Sequence, residues 1–168
     1  MIYIGIDPGK SGGVAIIQAD KLPIIVKAVT PMMIAGKDID LTSMANWIDS
    51  NTVPDIELWE RPKHAICFIE KVSAMPKQGV TSMFNFGFST GALHGIIATL
   101  GIPRYLVTPQ RWKNIVLAGT KKDKDAAIDF CRMSYPNINL LATERSKKPH
   151  SGMADALCIA SYAYINES

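Results

Sequence analysis

Several features are scarce or missing in this chain of 168 residues. Its three cysteines, Cys67, Cys131 and Cys158, lie far apart among apolar neighbours and form no Cys-x-x-Cys pair. That pattern speaks against a disulfide framework and predicts reduced core thiols in a cytosolic protein. No apolar run reaches the ~18 residues a membrane span requires. Met1 leads directly into an apolar strand, without the basic and apolar regions of a secretory leader. The expectation is therefore a soluble, cytoplasmic protein with no membrane partner. Internal repeats, low-complexity tracts and linker-like stretches are absent too, which predicts a single domain over 1–168 with a sizeable core. Charge is not lopsided either. A net charge of +3 and a pI near 8.7 permit nucleic-acid binding without demonstrating it.

What is present reads as an alternation of short strands and helices. Residues 2–6, 13–18 and 23–29 read as three strands joined by short turns, which predicts consecutive antiparallel pairing. Leu41, Met44, Ala45 and Ile48 recur at helical spacing and predict a helix over 41–50. The mixed stretch 52–63, with two prolines, reads as a surface excursion. Residues 65–70 are apolar until they end in Glu70, as in a strand buried on both faces. A helix over about 80–100 is rich in small residues, among them Gly87, Gly91 and Gly95, which suit close approach to a sheet or to another helix. Residues 104–109 read as a strand running into a helix, with Thr108 as N-cap and Pro109 at the first helical position. Two last helices are predicted over 123–134 and 152–166. Together these elements define an α/β domain with a mixed sheet.

Three acids stand out because their surroundings are apolar. Asp7 ends the first strand before Pro8-Gly9, and Glu70 ends the strand that should lie beside it. Asp155 shares a helical face with Cys158, Ile159 and Tyr162. Singly, each has an ordinary reading. Asp7 is a turn-former, Glu70 pairs with Lys71 or Lys77, and Asp155 sits where a helix dipole favours it. Jointly the ordinary reading weakens, because uncompensated buried carboxylates are costly without a cation. Magnesium is held by a few carboxylates completed by water and phosphate oxygens. Two ions about 3.5–4 Å apart activate water and stabilise the leaving oxygen in phosphodiester cleavage. His150 precedes the last helix. Alone it reads as a surface residue, but the Gly152 turn could fold it back towards the acids, as a metal ligand or proton shuttle.

IGIDPGKSGGVAII, FIEKV and HSGMADALCIA, in that order and spacing, resemble the three acidic motifs of RuvC-type Holliday junction resolvases, members of the RNase H-like superfamily. The resemblance runs over nearly the whole chain. Its stretch SMFNFGFSTGALHGIIATLGIPRYLVTPQRWK looks most like the shorter versions of bacteriophages and prophages. It implies an RNase H-like fold with a five-stranded mixed sheet flanked by helices. It also implies a homodimer on a four-way DNA junction, making paired symmetric nicks with magnesium or manganese and leaving a 5′-phosphate and a 3′-hydroxyl. Carried over by position, Asp7, Glu70 and Asp155 correspond to three of four metal-binding residues. The fourth often sits three residues ahead of the last Asp. Here that position is Gly152, which has no side chain to ligate, and His150 is the nearest substitute. A second departure is Ser73, where bacterial relatives carry an aromatic that stacks on junction bases. Either Met75, Phe84 or Phe86 compensates or junction opening is weaker; the ordinary reading of the two phenylalanines is packing.

Basic residues cluster near these elements. Lys71, Lys77 and Gln78 follow Glu70. Gln110, Arg111, Trp112 and Lys113 form a polar-aromatic group at a helix start, where backbone N–H groups favour phosphate. Lys121, Lys122 and Lys124 follow the Gly119-Thr120 turn, and Lys147 and Lys148 lead into His150. Any one pair reads as solvated surface. Four clusters on loops and element ends predict a DNA surface that grips phosphates without reading sequence and weakens steeply with salt. The alternatives are a YqgF-type RNA-processing nuclease, usually shorter and without the long small-residue helix, and a non-catalytic junction-binding protein, against which the acids argue. An actin-like ATPase opens with a similar strand and Asp but needs two such domains, for which the chain is too short.

Overall fold

Alternation along the first strand decides which side of the sheet the rest of the chain occupies. The computed structural model describes all residues except 20–22, 54, 74–78, 121, 122, 124 and 168. In it, β1 (Ile2–Asp7) turns Ile2, Ile4 and Ile6 to one core, and Tyr3, with Gly5 and Asp7 in step, to the other. β2 (Gly13–Gln18) pairs antiparallel with β1, and β3 (Ile25–Pro31) antiparallel with β2. A hairpin of two-residue strands, β4 (Ile34–Ala35) and β5 (Asp38–Ile39), leads into α1 (Leu41–Asn51). The chain then crosses to the other side of β1. β6 (Ala65–Glu70) runs parallel to β1, α2 (Val80–Thr99) returns the chain, and β7 (Arg104–Val107) runs parallel to β6. The result is a five-stranded mixed sheet, as the resemblance implies, in the order β3-β2-β1-β6-β7. α3 (Pro109–Val116), α4 (Ala126–Ser134) and α5 (Ser151–Glu167) complete the chain.

The two faces of the sheet build two cores. Met44 and Ile48 of α1 and Leu93 and Ile97 of α2 pack on Ile4, Ile6, Val14, Ile16, Cys67 and Ile69. On the other face, Trp112, Val116, Ile128, Cys131 and most of α5 pack on Tyr3, Ala15, Ile17, Ile66 and Phe68. From Gly152 to Ala163 every residue of α5 except Asp155 is buried. The single buried stripe expected around Asp155 is thus a helix buried all round, roofed by α3 and α4. α5 lies directly on β1 because the crossing is made of small residues. A Cβ on Gly5 would collide with the carbonyl oxygen of Ala156 and the nitrogen of Ala160.

Several boundaries and one segment depart from expectation. β3 occupies 25–31 rather than 23–29, following a register shift at Ile16/Ile17. α4 begins at Ala126 rather than 123, after Asp125. The stretch 52–63 is no loose excursion. Arg61 is buried, with Nη1 donating to Asp49 Oδ1 (2.7 Å) and Leu100 O (3.2 Å) and Nε donating to Ile56 O (2.9 Å). One guanidinium therefore ties the end of α1 to the end of α2. The Thr108 cap is as expected, its hydroxyl accepting from the Arg111 N–H at 3.3 Å ahead of Pro109. The three cysteines are buried and free, and burial pushes the Cys67 thiol well above its usual range. Among the described residues no helix is long and apolar enough to cross a membrane.

Candidate active site

Strand register and period-two alternation bring the first two acids together. β1 and β6 are parallel neighbours with Ile6 opposite Ile69, so Asp7 and Glu70 follow at the same level, at the C-terminal edge of the sheet. Both point to the face covered by α5, whose second turn carries Asp155. All three are half-buried. Burial, then Glu70, then Asp155 push the Asp7 carboxyl up to about 8, against the opposing pull of Lys113. Asp155 is pushed up to about 6, by burial first, with Lys113 pulling it down and Glu70 pushing it up. Among the described residues neither carboxylate accepts a hydrogen bond or forms an ion pair. Three acids from three elements thus share one field, with Lys113 as its principal counter-charge.

Glu70 is held differently. The indole Nε1–H of Trp112 donates to its Oε2 at 2.7 Å. Trp112 is fully buried, which corrects its place in the expected DNA-facing cluster. The flanking Gln110, Arg111 and Lys113 are exposed. The signal was available in the spacing, because Trp112 and Val116, four residues apart, form the buried stripe of α3. The lysine partners considered for Glu70 are not seen. Lys71 is exposed and makes no ion pair with it, and Lys77 lies outside the described residues.

His150 caps α5. Its Nδ1 accepts the Met153 N–H at 3.2 Å, its carbonyl accepts the Ala154 N–H at 3.2 Å, and burial lowers its pKa. An acceptor Nδ1 leaves the hydrogen of the neutral ring on Nε2, a donor rather than a free lone pair. Ligation through Nε2 would require the other tautomer and release of the Met153 N–H. Gly152 lies one turn ahead of Asp155 with no room for a side chain, since a Cβ there would collide with the Ser11 carbonyl oxygen and the Gly12 backbone. Gly152→Ala is therefore expected to cost about 1–3 kcal/mol as overpacking, read as a lowered denaturant midpoint. An unchanged midpoint would mean that α5 can lift off the β1–β2 turn and admit a ligand at this position.

The aromatic candidates separate. Phe86 is half-buried over the β1–β2 turn, and a Cβ on Gly9 would come within 3.0 Å of its ring. Phe84 is 70% exposed and stacks on the equally open Phe88, with centroids 6.5 Å apart. Ser73 is exposed, and Met75 lies outside the described residues. Lys147 and Lys148 are exposed just ahead of α5, whereas Gln78, Lys121, Lys122 and Lys124 are not described. An open cleft of about 800 Å³ adjoins Asp155 between α3 and the starts of α4 and α5, lined by Gln110, Lys113, Asn114, Thr120, Asp123 and Ser151.

Among the described residues no three His, Cys, Asp or Glu side chains close around a point to cage an ion by themselves. The donor set nonetheless fits magnesium or manganese. Such ions are bound by one or two carboxylates and completed by water and substrate phosphate, and an acid pushed to about 8 by burial first and then by Glu70 and Asp155 is one whose ionised form a cation stabilises.

A mixed sheet with an antiparallel β1–β2–β3 half and a parallel β1–β6–β7 half, with carboxylates at the ends of β1 and β6, is an RNase H-like fold. Within that class the architecture is that of RuvC. Thermus thermophilus RuvC superposes with a TM-score of 0.62 at 18% identity, over 99% of this chain and 96% of that one. The same protein in complex with a Holliday junction substrate superposes with a TM-score of 0.63 at 17% identity, over the same shares. In sequence the chain is 30% identical over 103 residues to the chloroplastic Holliday junction resolvase MOC1 of Chlamydomonas reinhardtii. That segment is 61% of this chain and 11% of the relative's length. No protein-family model matches the sequence.

Proposed function

We propose that the protein is a metal-dependent, structure-selective endonuclease that resolves four-way DNA junctions, and other branched DNA, by paired symmetric nicks. The observation that carries this reading is the shared field of Asp7, Glu70 and Asp155, three half-buried carboxylates at one sheet edge answered mainly by Lys113. Magnesium or manganese, two ions per site, supplies the Lewis acidity that activates water and stabilises the leaving 3′ oxygen. The protein's own part is positional. Asp7, which feels both other acids, would be shared by the ions, and Glu70 and Asp155 would each hold one. Lys113 meets a phosphate oxygen from the side of the cleft. His150, with Nδ1 engaged in the cap, handles the proton through Nε2 unless it gives up the cap to ligate.

The surrounding cations extend the grip to the DNA backbone. Lys71, Arg111, Lys147 and Lys148 are exposed on segments that adjoin the acids, and Lys77, Gln78, Lys121, Lys122 and Lys124 belong to the same proposed surface, with Ser73 beside it. Two relatives support the substrate: one structural relative is complexed with a Holliday junction, and the sequence relative is named as a resolvase. The homodimer finds support in α2. Phe84 and Phe88 are open, and among the described residues nothing lies within 4 Å of a Cβ built on Gly87, Gly91 or Gly95. Those glycines do not pack on the sheet, so the smooth face they make suits a second copy of the helix. We assign the protein to the cytoplasm, where junctions of replicating or recombining DNA arise.

Incubation with a synthetic four-way junction, with and without magnesium, tests this reading when the nicks on every strand are mapped. Metal-dependent nicks at symmetric positions with 5′-phosphate ends are expected, and their pairing on one junction reports two sites. A flap, a linear duplex and a structured RNA run alongside define selectivity. Preferential cutting of the RNA would move the protein to an RNA-processing role. Binding without nicking on any branch would leave a junction-binding protein.

A further inference from the structure

We propose that Trp112 is a positioning residue of the carboxylate site. From within the core it fixes the orientation of Glu70 and seats Lys113, so that one anion and one cation of the site are aligned before any ion or DNA arrives. This deepens the metal-dependent reading and rests on it.

Trp112 is fully buried, and its single polar atom, the donor-only indole N–H, is spent on Glu70 Oε2 at 2.7 Å. Over its ring stands Lys113 Nζ, 5.1 Å from the centroid, within the reach of a cation–π contact. Lys113 in turn acts on both Asp7 and Asp155. The ring is aimed by its helix, because the Thr108 cap and Pro109 fix the start of α3, and Trp112 and Val116 form the stripe that enters the core. An indole suits this task better than an arginine or lysine would. It orients the carboxylate and occupies one oxygen while adding no charge that would compete with a cation, and it leaves Oε1 free. Among the described residues, Asp7 and Asp155 have no comparable donor, so Glu70 is the acid whose orientation the protein itself sets.

Trp112→Phe separates this role from packing, since phenylalanine keeps an aromatic ring in the core but cannot donate. Manganese binding to the DNA-free protein, followed by electron paramagnetic resonance or calorimetry, is expected to weaken about 10-fold or more, the range seen when outer partners of metal ligands are lost. Cleavage should then require correspondingly more metal, with the rate largely recovered at saturation. Manganese affinity equal to that of the unaltered protein would overturn the proposal. A second measurement leaves Trp112 and its bond to Glu70 in place. Replacing Trp47 and Trp59 by Phe makes Trp112 the sole indole, and its emission is expected to shift on titration with magnesium. No shift in a protein that binds the ion would overturn the proposal too. The outcomes also separate from those of the nuclease reading. Weakened manganese binding in Trp112→Phe, in a protein that cuts no junction, supports the positioning role and sinks the resolvase. Junction cleavage with manganese affinity indifferent to Trp112→Phe does the reverse.

Discussion

Asp7→Asn is expected to abolish junction cleavage, leave junction binding intact and make the metal-free protein more stable near pH 8. All three effects have one cause. Asp7 is half-buried, and burial first, then Glu70 and Asp155, push its carboxyl up to about 8. A site strained by like charge is what a cation relieves, so the negative charge at this position is the part that function requires. Asparagine keeps the shape and loses the charge. The loss of cleavage should exceed about 100-fold, the upper end of what changes in outer partners of a metal ligand cost. Binding should persist because the proposed phosphate contacts belong to exposed lysines and arginines rather than to the acids. Stability should rise because the substitution removes a charge that the metal-free fold buries beside two like charges, the usual exchange at an active site. Single-turnover cleavage, gel shift and thermal melting read the three effects. Retained cutting would remove Asp7 from the site.

The parts of the fold legible in the sequence are those written in local pattern. Alternation and terminal position were enough to find Asp7 and Glu70, since in parallel neighbours the last residues of two apolar strands share an edge. The long α2 and the Thr108-Pro109 start of α3 are likewise local signals. What could not be read depends on partners distant in sequence. Arg61 sits in a proline-containing stretch that resembles a loop, and only the arrival of Asp49 and the Leu100 carbonyl explains its burial. Gly152 looks like a missing ligand, but its reason is the Ser11–Gly12 backbone on the far side of the sheet's first turn. Trp112 was legible in part. Flanked by Gln110, Arg111 and Lys113 it reads as surface, and only the spacing to Val116 points inward. The β4–β5 hairpin is too short for any alternation to register.

Without divalent cations the protein is expected to lose stability as pH rises from about 5 to 8, and magnesium to restore it at the upper end alone. Asp7 and Asp155 both start from 3.8 and are raised in the fold, to about 8 and about 6. Between the two values the folded chain holds a proton that the unfolded chain has released. Stability therefore falls with pH across that window. The contribution is complete below about pH 4 and gone once pH has passed the folded values. At 1.36 kcal/mol per unit, Asp7 alone accounts for at most about 4 kcal/mol over three pH units, trimmed by its partial exposure. For a chain of this size that is a fall of roughly 10 °C in melting temperature. Magnesium binds the ionised carboxylates of the folded state, and at 100 times its dissociation constant returns about 2.7 kcal/mol. At pH 5 it must compete with the protons and should do little. Asp7→Asn removes the titrating group, so its melting temperature should change less between pH 5 and 8 and respond less to magnesium. Melting curves across this range with chelator and with magnesium, on both proteins, give the comparison. A metal-free profile no steeper for the unaltered protein than for Asp7→Asn would mean that Asp7 is ionised and satisfied without a cation, and the carboxylate site would lose its electrostatic basis.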